Sequence, residues 1–268
     1  MLKRGEPFSG SISEDGIEPS AAIEHGRYGR FTGPLSLLGL PIYVWQGVGM
    51  RRRSLRLSPP PGPIEGRIDG AAQEIRLLVI GDSSVQAVGV NRQEEGLANC
   101  IARSLSAMSG RAIRWRAAGF NSATVPQLTS HVLPHLEPRD FTHIVVSAGI
   151  NDAKNWHSAR RFNRDFGHLI YGLRARFPGA ILFWNPIFNL RLVPGLPRQL
   201  ATVLDMRAEL LSRRARQLCR ERGMIALPEM TAAEAKGFAR DGFHAGSMGY
   251  AALGAHLADH MLGNSGDE

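Results

Sequence analysis

Ile75 to Gly89 reads IRLLVIGDSSVQAVG, and its apolar run Leu77-Leu78-Val79-Ile80 stops at Gly81. A short run with apolar side chains at successive positions is the pattern of a strand buried on both faces of a parallel sheet. Such a strand needs helices on each side, so this run constrains the fold more than any other stretch. Asp82, Ser83 and Ser84 follow at the carboxyl end of the strand, where open α/β folds place their ligands. A hydroxyl there is positioned for chemistry. Taken alone, Gly-Asp-Ser-Ser reads first as a polar turn with a helix N-cap.

The rest of the chain alternates. Leu97, Ile101 and Leu105 predict a helix over 94–108, and Ile113 to Ala117 a second strand. A helix is expected from Pro126 to about Leu136, a strand over Thr142–Ser147, a helix from Ser158 to Phe177 and a strand over Ala180–Trp184. A long helix over 198–222, a short strand over 224–227 and a last helix over 247–262 complete the series. Strand–helix alternation calls for a parallel sheet with right-handed crossovers on both faces. With 268 residues, 43% hydrophobic and 21% charged, the chain has enough apolar material for one large domain and does not fit a disordered or fibrous class.

Residues 1–70 are expected to be an N-terminal arm with an apolar segment and a proline-rich linker, and residues 71–268 the globular domain. Residues 34–53, PLSLLGLPIYVWQGVGMRRR, combine apolar residues, Tyr43 and Trp45 with three closing arginines. Three readings remain open for it: an arm docked on the domain, a membrane-surface contact, or a true span, which its length and Pro41 disfavour. The first residues carry no apolar run after their basic ones, so no secretory signal is expected. Cys100 and Cys219 match no zinc or disulfide spacing and predict inert thiols in a reducing compartment. The location expected is therefore cytoplasmic, with the inner face of a membrane as the variant. The net charge of +8 is not accompanied by a nucleic-acid module, and Arg213, Arg214, Arg216, Arg220 and Arg222 lie without stacking aromatics, so no nucleic-acid partner is expected.

Four polar clusters fall at strand ends or in the last loop: Asp82-Ser83, Asn121-Ser122, Gly149-Ile150-Asn151-Asp152 and Asp241-Gly242-Phe243-His244. In a doubly wound sheet such ends converge on one rim. Together they contain the parts of acyl transfer: a hydroxyl, an imidazole to take its proton, an acid to orient the imidazole, and amide donors. Asp241 and His244, three positions apart across a Gly-containing turn, can meet through their side chains and leave the other ring nitrogen for Ser83. His131 with His135 and His256 with His260 have metal-like helical spacing but lack the carboxylate of H-E-x-x-H, and read as surface histidines. The turn after the first strand also lacks the glycine pattern of a dinucleotide site.

Gly81-Asp82-Ser83, Gly149-Ile150-Asn151-Asp152 and Asp241-Gly242-Phe243-His244, in this order, resemble three sequence blocks of the SGNH or GDSL-type serine hydrolases over about Ile75 to Leu262. The resemblance implies a flavodoxin-like three-layer α/β/α sandwich with a mostly parallel five-stranded sheet, and no metal or organic cofactor. It implies Ser83 as nucleophile, His244 as general base and Asp241 as its partner. Asn151 and the Ser83 backbone N–H are the implied oxyanion donors. The second block departs from the family pattern, because Ser122 stands where a glycine is usual and Gly119 is the alternative. A serine keeps the backbone donor if the local dihedrals allow it.

The expected substrate is a small-molecule ester with a small to medium acyl group, walled in part by residues 185–197. Acyl transfer to a carbohydrate or lipid acceptor and a catalytically silent binding module stand as alternatives. A neutral imidazole is required as base, so activity should fall below about pH 6 to 7. Oligomeric state is not readable from these residues.

Overall fold

The computed structural model describes residues 37–41, 45–46, 57–137, 139–232 and 234–264. One sheet holds six strands: β1 (Glu65–Ile68), β2 (Ala72–Gly81), β3 (Arg111–Gly119), β4 (His143–Ser147), β5 (Ile181–Asn185) and β6 (Ile225–Ala226). Their order is β1-β3-β2-β4-β5-β6. All neighbours are parallel except β1, which runs antiparallel to β3 at the edge. The five parallel strands have the flavodoxin-like order, with its switch point beside the first of them, β2.

The sheet thus has one strand more than expected, and it begins before the boundary drawn at residue 71. Glu65–Ile68 alternates exposed and half-buried positions, because an edge strand is held by backbone hydrogen bonds and needs no apolar run. Gly66 lies flat on the Trp115 indole, which a Cβ would approach to 2.9 Å.

Five helices cover the sheet: α1 (Leu97–Ser109), α2 (Ile150–Lys154), α3 (Ala159–Arg176), α4 (Arg198–Glu221) and α5 (Ser247–Asn264). The side-chain period of two divides the strands between them. Ile75, Leu77, Val79, Val145 and Phe183 face α1 and α5, whereas Leu78, Ile80, Ile144, Val146, Leu182 and Trp184 face α3 and α4. Each such side chain, fully buried, contributes roughly 1.5–3 kcal/mol.

The helix expected from Pro126 to Leu136 breaks into a capped turn at Val125–Gln127, a wide turn at Leu128–Val132 and a tight one at Leu133–His135. Pro134 has no N–H to continue a regular ladder, so His131 and His135 do not share a helical face. Cys219 is buried in α4, where desolvation pushes its thiol up to about 12. Cys100 is half-buried, and both are free thiols.

Residues 1–36, 42–44 and 47–56, most of the expected arm, lie outside the described residues. Residues 37–41 form a helical turn whose Gly39 rests on Val203 of α4, and Gln46 donates to Gln199 at 3.4 Å. Among the described residues, no helix is long and apolar enough to cross a membrane.

Candidate active site

Two glycines bring three strand ends together. Gly81 is in register with both Gly119 and Ser147. A Cβ on Gly81 would lie 2.1 Å from the Ser147 carbonyl oxygen, and one on Gly119 only 1.9 Å from that of Gly81. The loops after β2, β3 and β4 therefore emerge side by side. Close approach accounts for Gly119, and it does so without any role as an oxyanion donor.

Asp82 shapes the first loop. Its Oδ1 accepts from the Ser84 N–H at 3.1 Å and the Ser84 hydroxyl at 3.2 Å, and its Oδ2 accepts from Asn151 Nδ2 at 3.1 Å. Burial nevertheless pushes its carboxyl above the usual range. Ser83 is held between, nearly buried, and its carbonyl accepts from Val88 N–H at 3.0 Å.

His244 comes from the other end of the chain. Asp241 Oδ1 accepts from the N–H groups of Phe243 (2.9 Å) and His244 (3.0 Å), while its Oδ2 meets His244 Nδ1 at 2.6 Å. Gly242, at φ +66°, makes the turn possible. Burial acts to raise Asp241, but the bonds from His244 and the two N–H groups outweigh it and hold the carboxyl below its ordinary value. An ionised Asp241 accepts a hydrogen bond from Nδ1–H, which keeps the proton on that nitrogen and leaves Nε2 as the acceptor, 3.2 Å from Ser83 Oγ. Ser83, His244 and Asp241, spread over more than half the sequence, form one hydrogen-bonded line.

The three candidate oxyanion donors differ. Among the described residues, neither the Ser83 nor the Ser122 backbone N–H donates to a protein acceptor. Ser122 holds φ +64°, the left-handed conformation that favours glycine, so it keeps a glycine's geometry at a cost. Asn151 is buried, and both hydrogens of its amide are engaged, one by Asp82 and one by the Ala123 carbonyl at 3.0 Å. Its Oδ1 accepts from Lys154 at 3.4 Å, and the same ammonium stands 5.0 Å from the Phe243 ring centre, linking α2 to the His244 loop. Asp152 braces this corner by accepting from Val125 N–H (3.0 Å) and meeting His157 Nδ1 at 2.8 Å.

A cavity of about 410 Å³ opens beside Ser83 and His244. Ile187, Phe188, Leu190, Val193, Phe238 and Leu253 make it apolar. Asn185 to Val193 do wall it, as expected, but Ser122 and Asn151 do not reach its surface. The sequence reasoning placed Asn185 in the wall but missed Ser147, and the two form a hydrogen-bonded chain there with Ser84 (3.1 and 3.0 Å). Each is a polar residue closing an apolar strand, the same signal that singled out Ser83. It also missed the segment around Met230 and Phe238, which has no motif.

Among the described residues, no three His, Cys, Asp or Glu side chains gather as metal ligands. His256 instead bonds the Pro228 carbonyl at 2.9 Å and packs edge-on against His260.

A three-layer sandwich with serine, histidine and carboxylate at the carboxyl rim of a parallel sheet has the architecture of SGNH hydrolases. The chain belongs to the GDSL-like lipase/acylhydrolase family, whose sequence model matches residues 79–252. Among solved structures it is similar to a psychrotrophic esterase, EstA, from Pseudoalteromonas sp., at 16% identity and a TM-score of 0.56, covering 70% of this chain and 97% of that one. TesA matches at 19% and 0.56, covering 69% and 97%. A family 3 carbohydrate esterase of Clostridium thermocellum matches at 14% and 0.54, covering 71% and 96%. At these identities the likeness is one of fold. A comparison with curated proteins finds no significant match.

Proposed function

We propose that the chain hydrolyses carboxylic esters of small to medium acyl groups through Ser83, His244 and Asp241. The observation that carries this reading is the line from Asp241 through His244 to Ser83 Oγ, beside an apolar cavity of small-molecule size. His244 Nε2 takes the Ser83 proton as Oγ attacks the ester carbonyl. The tetrahedral oxyanion is held by the unpaired N–H groups of Ser83 and Ser122, and by Asn151 once it exchanges its Ala123 acceptor for the substrate oxygen. The protonated imidazole then gives its proton to the leaving alcohol, and the C–O bond breaks. Water, deprotonated by His244, attacks the acyl-serine and releases the acid. The Ser84, Ser147 and Asn185 chain gives this otherwise apolar wall a polar edge, suited to the ester's own oxygens.

Hydrolysis of p-nitrophenyl esters of rising acyl length by purified protein tests the reading. Short and medium esters should be turned over, palmitoyl esters poorly, and Ser83→Ala should retain only background. No turnover of any ester by the unaltered chain, or undiminished turnover by Ser83→Ala, would overturn it.

A further inference from the structure

The polar edge of the cavity reaches further than an ester does. Ser84 stands next to the nucleophile and borders the reacting group. Asn185 closes β5, with β4 between it and β2, so these two strand ends are about 10 Å apart from backbone to backbone. Its side chain reaches back to Ser147 at the end of β4 and lines the cavity.

The hydrogen bonds along this edge run in one direction. Both carboxylate oxygens of Asp82 face nitrogen donors, the Ser84 N–H and the Asn151 amide, which can only donate. Asp82 therefore accepts, and the one hydroxyl proton of Ser84 goes to its Oδ1. Ser84 Oγ, its proton committed, accepts from the Ser147 hydroxyl at 3.1 Å, and Ser147 Oγ in turn accepts from Asn185 Nδ2 at 3.0 Å. Asn185 is thus the open end of the chain. Among the described residues, its second amide hydrogen and its Oδ1 meet no protein partner. Other polar side chains along the cavity are engaged: Tyr250 donates to the Val88 carbonyl at 2.7 Å, Glu229 pairs with Arg216 at 3.7 Å, and Lys236 with Glu234 at 2.7 Å.

Water satisfies a carboxamide in an open cavity. An acyl chain packed against Ile187, Phe188 and Leu190 expels that water. A pure hydrocarbon chain would then leave a donor and an acceptor of Asn185 buried and unpaired, which costs more than a made hydrogen bond gains. The ester's own oxygens do not answer them, since the carbonyl oxygen goes to the oxyanion donors and the alcohol oxygen to His244. A hydroxyl both donates and accepts, whereas a ketone or an ether only accepts. We propose that Asn185 is a specificity-determining residue, and that the substrate is an ester whose acyl group carries a hydroxyl several carbons from the ester carbonyl. This inference rests on the reading of the cavity as the acyl site of an ester hydrolase.

Acid release by the full chain from methyl hexanoate, methyl 3-hydroxyhexanoate and methyl 6-hydroxyhexanoate, followed by pH-stat, tests the proposal. The two hydroxyl positions bracket the reach of the amide. At least one hydroxylated ester should exceed the plain one in kcat/KM by about tenfold or more. Asn185→Leu should invert that order, raising kcat/KM for methyl hexanoate and lowering it for the hydroxylated ester. Asn185→Ala, which adds no bulk, should shift the ratio in the same direction. The proposal is overturned if the unaltered chain hydrolyses the plain ester as well as both hydroxylated ones, or better, or if its preference survives in both altered chains. Loss of all turnover in both would make Asn185 part of the reaction itself, which also overturns it. Methyl hexanoate separates this failure from that of the ester reading: a chain inactive on every ester overturns both, whereas activity without preference overturns the inference alone.

Discussion

Ser122 carries a side chain at φ +64°, where an L-residue costs roughly 1–2 kcal/mol. Replacing it with glycine removes that strain but adds about 0.5–1 kcal/mol of unfolded-state freedom. Ser122→Gly should therefore gain between zero and about 1 kcal/mol in urea denaturation while turnover is kept, and a clear loss of stability would contradict the strain. Asn151 has two duties, since the amide that the mechanism asks to meet the oxyanion also satisfies Asp82. Asn151→Ala should lower kcat by about 10²–10³ with the chain still folded; unchanged turnover in steady-state assays would confine Asn151 to holding Asp82. Asp241 is kept ionised by its three hydrogen bonds, so its depressed carboxyl supports the fold above its unfolded pKa and loses that support as pH falls through the folded value.

At the level of elements, β4 holds a group with a clear pH signature. His143 is buried in the sheet, stacked on Phe183, and desolvation lowers it from 6.5 to about 4. Between those values the unfolded imidazole binds a proton that the folded one does not. Stability should then fall as pH drops through that window, by up to about 3 kcal/mol. His143→Phe should flatten the dependence in urea midpoints measured between about pH 7 and pH 4, and an unchanged slope would place its source elsewhere. The same strands explain what was legible in the sequence. β2, β4 and β5 are buried on both faces, so unbroken apolar runs announced them, and the ends of those runs pointed to Asp82, Ser83 and Asn151. β1 was hidden because its pairing is made by backbone, which every sequence has. The broken turns over 125–135 were hidden because apolar spacing there fits a helix while Pro134 and tertiary contacts do not.

For the molecule as a whole, contact between distant parts of the chain is what sequence spacing could not supply. Asp241 and His244 were readable as a pair because three residues separate them, but their meeting with Ser83 depends on the crossovers that bring β2 and the last loop to one rim. The cavity was less legible, since Met230 and Phe238 reach it by the path of a loop and not by any pattern. The central claim is that Ser83, activated by His244, is the nucleophile. The most direct measurement is reaction with a fluorophosphonate, in which the serine oxygen displaces fluoride from phosphorus, followed by mass mapping of the modified peptide. The account predicts a single adduct on Ser83 that is absent in Ser83→Ala and strongly slowed in His244→Ala. An adduct on Ser84, or ester turnover by a chain that never labels, would contradict it.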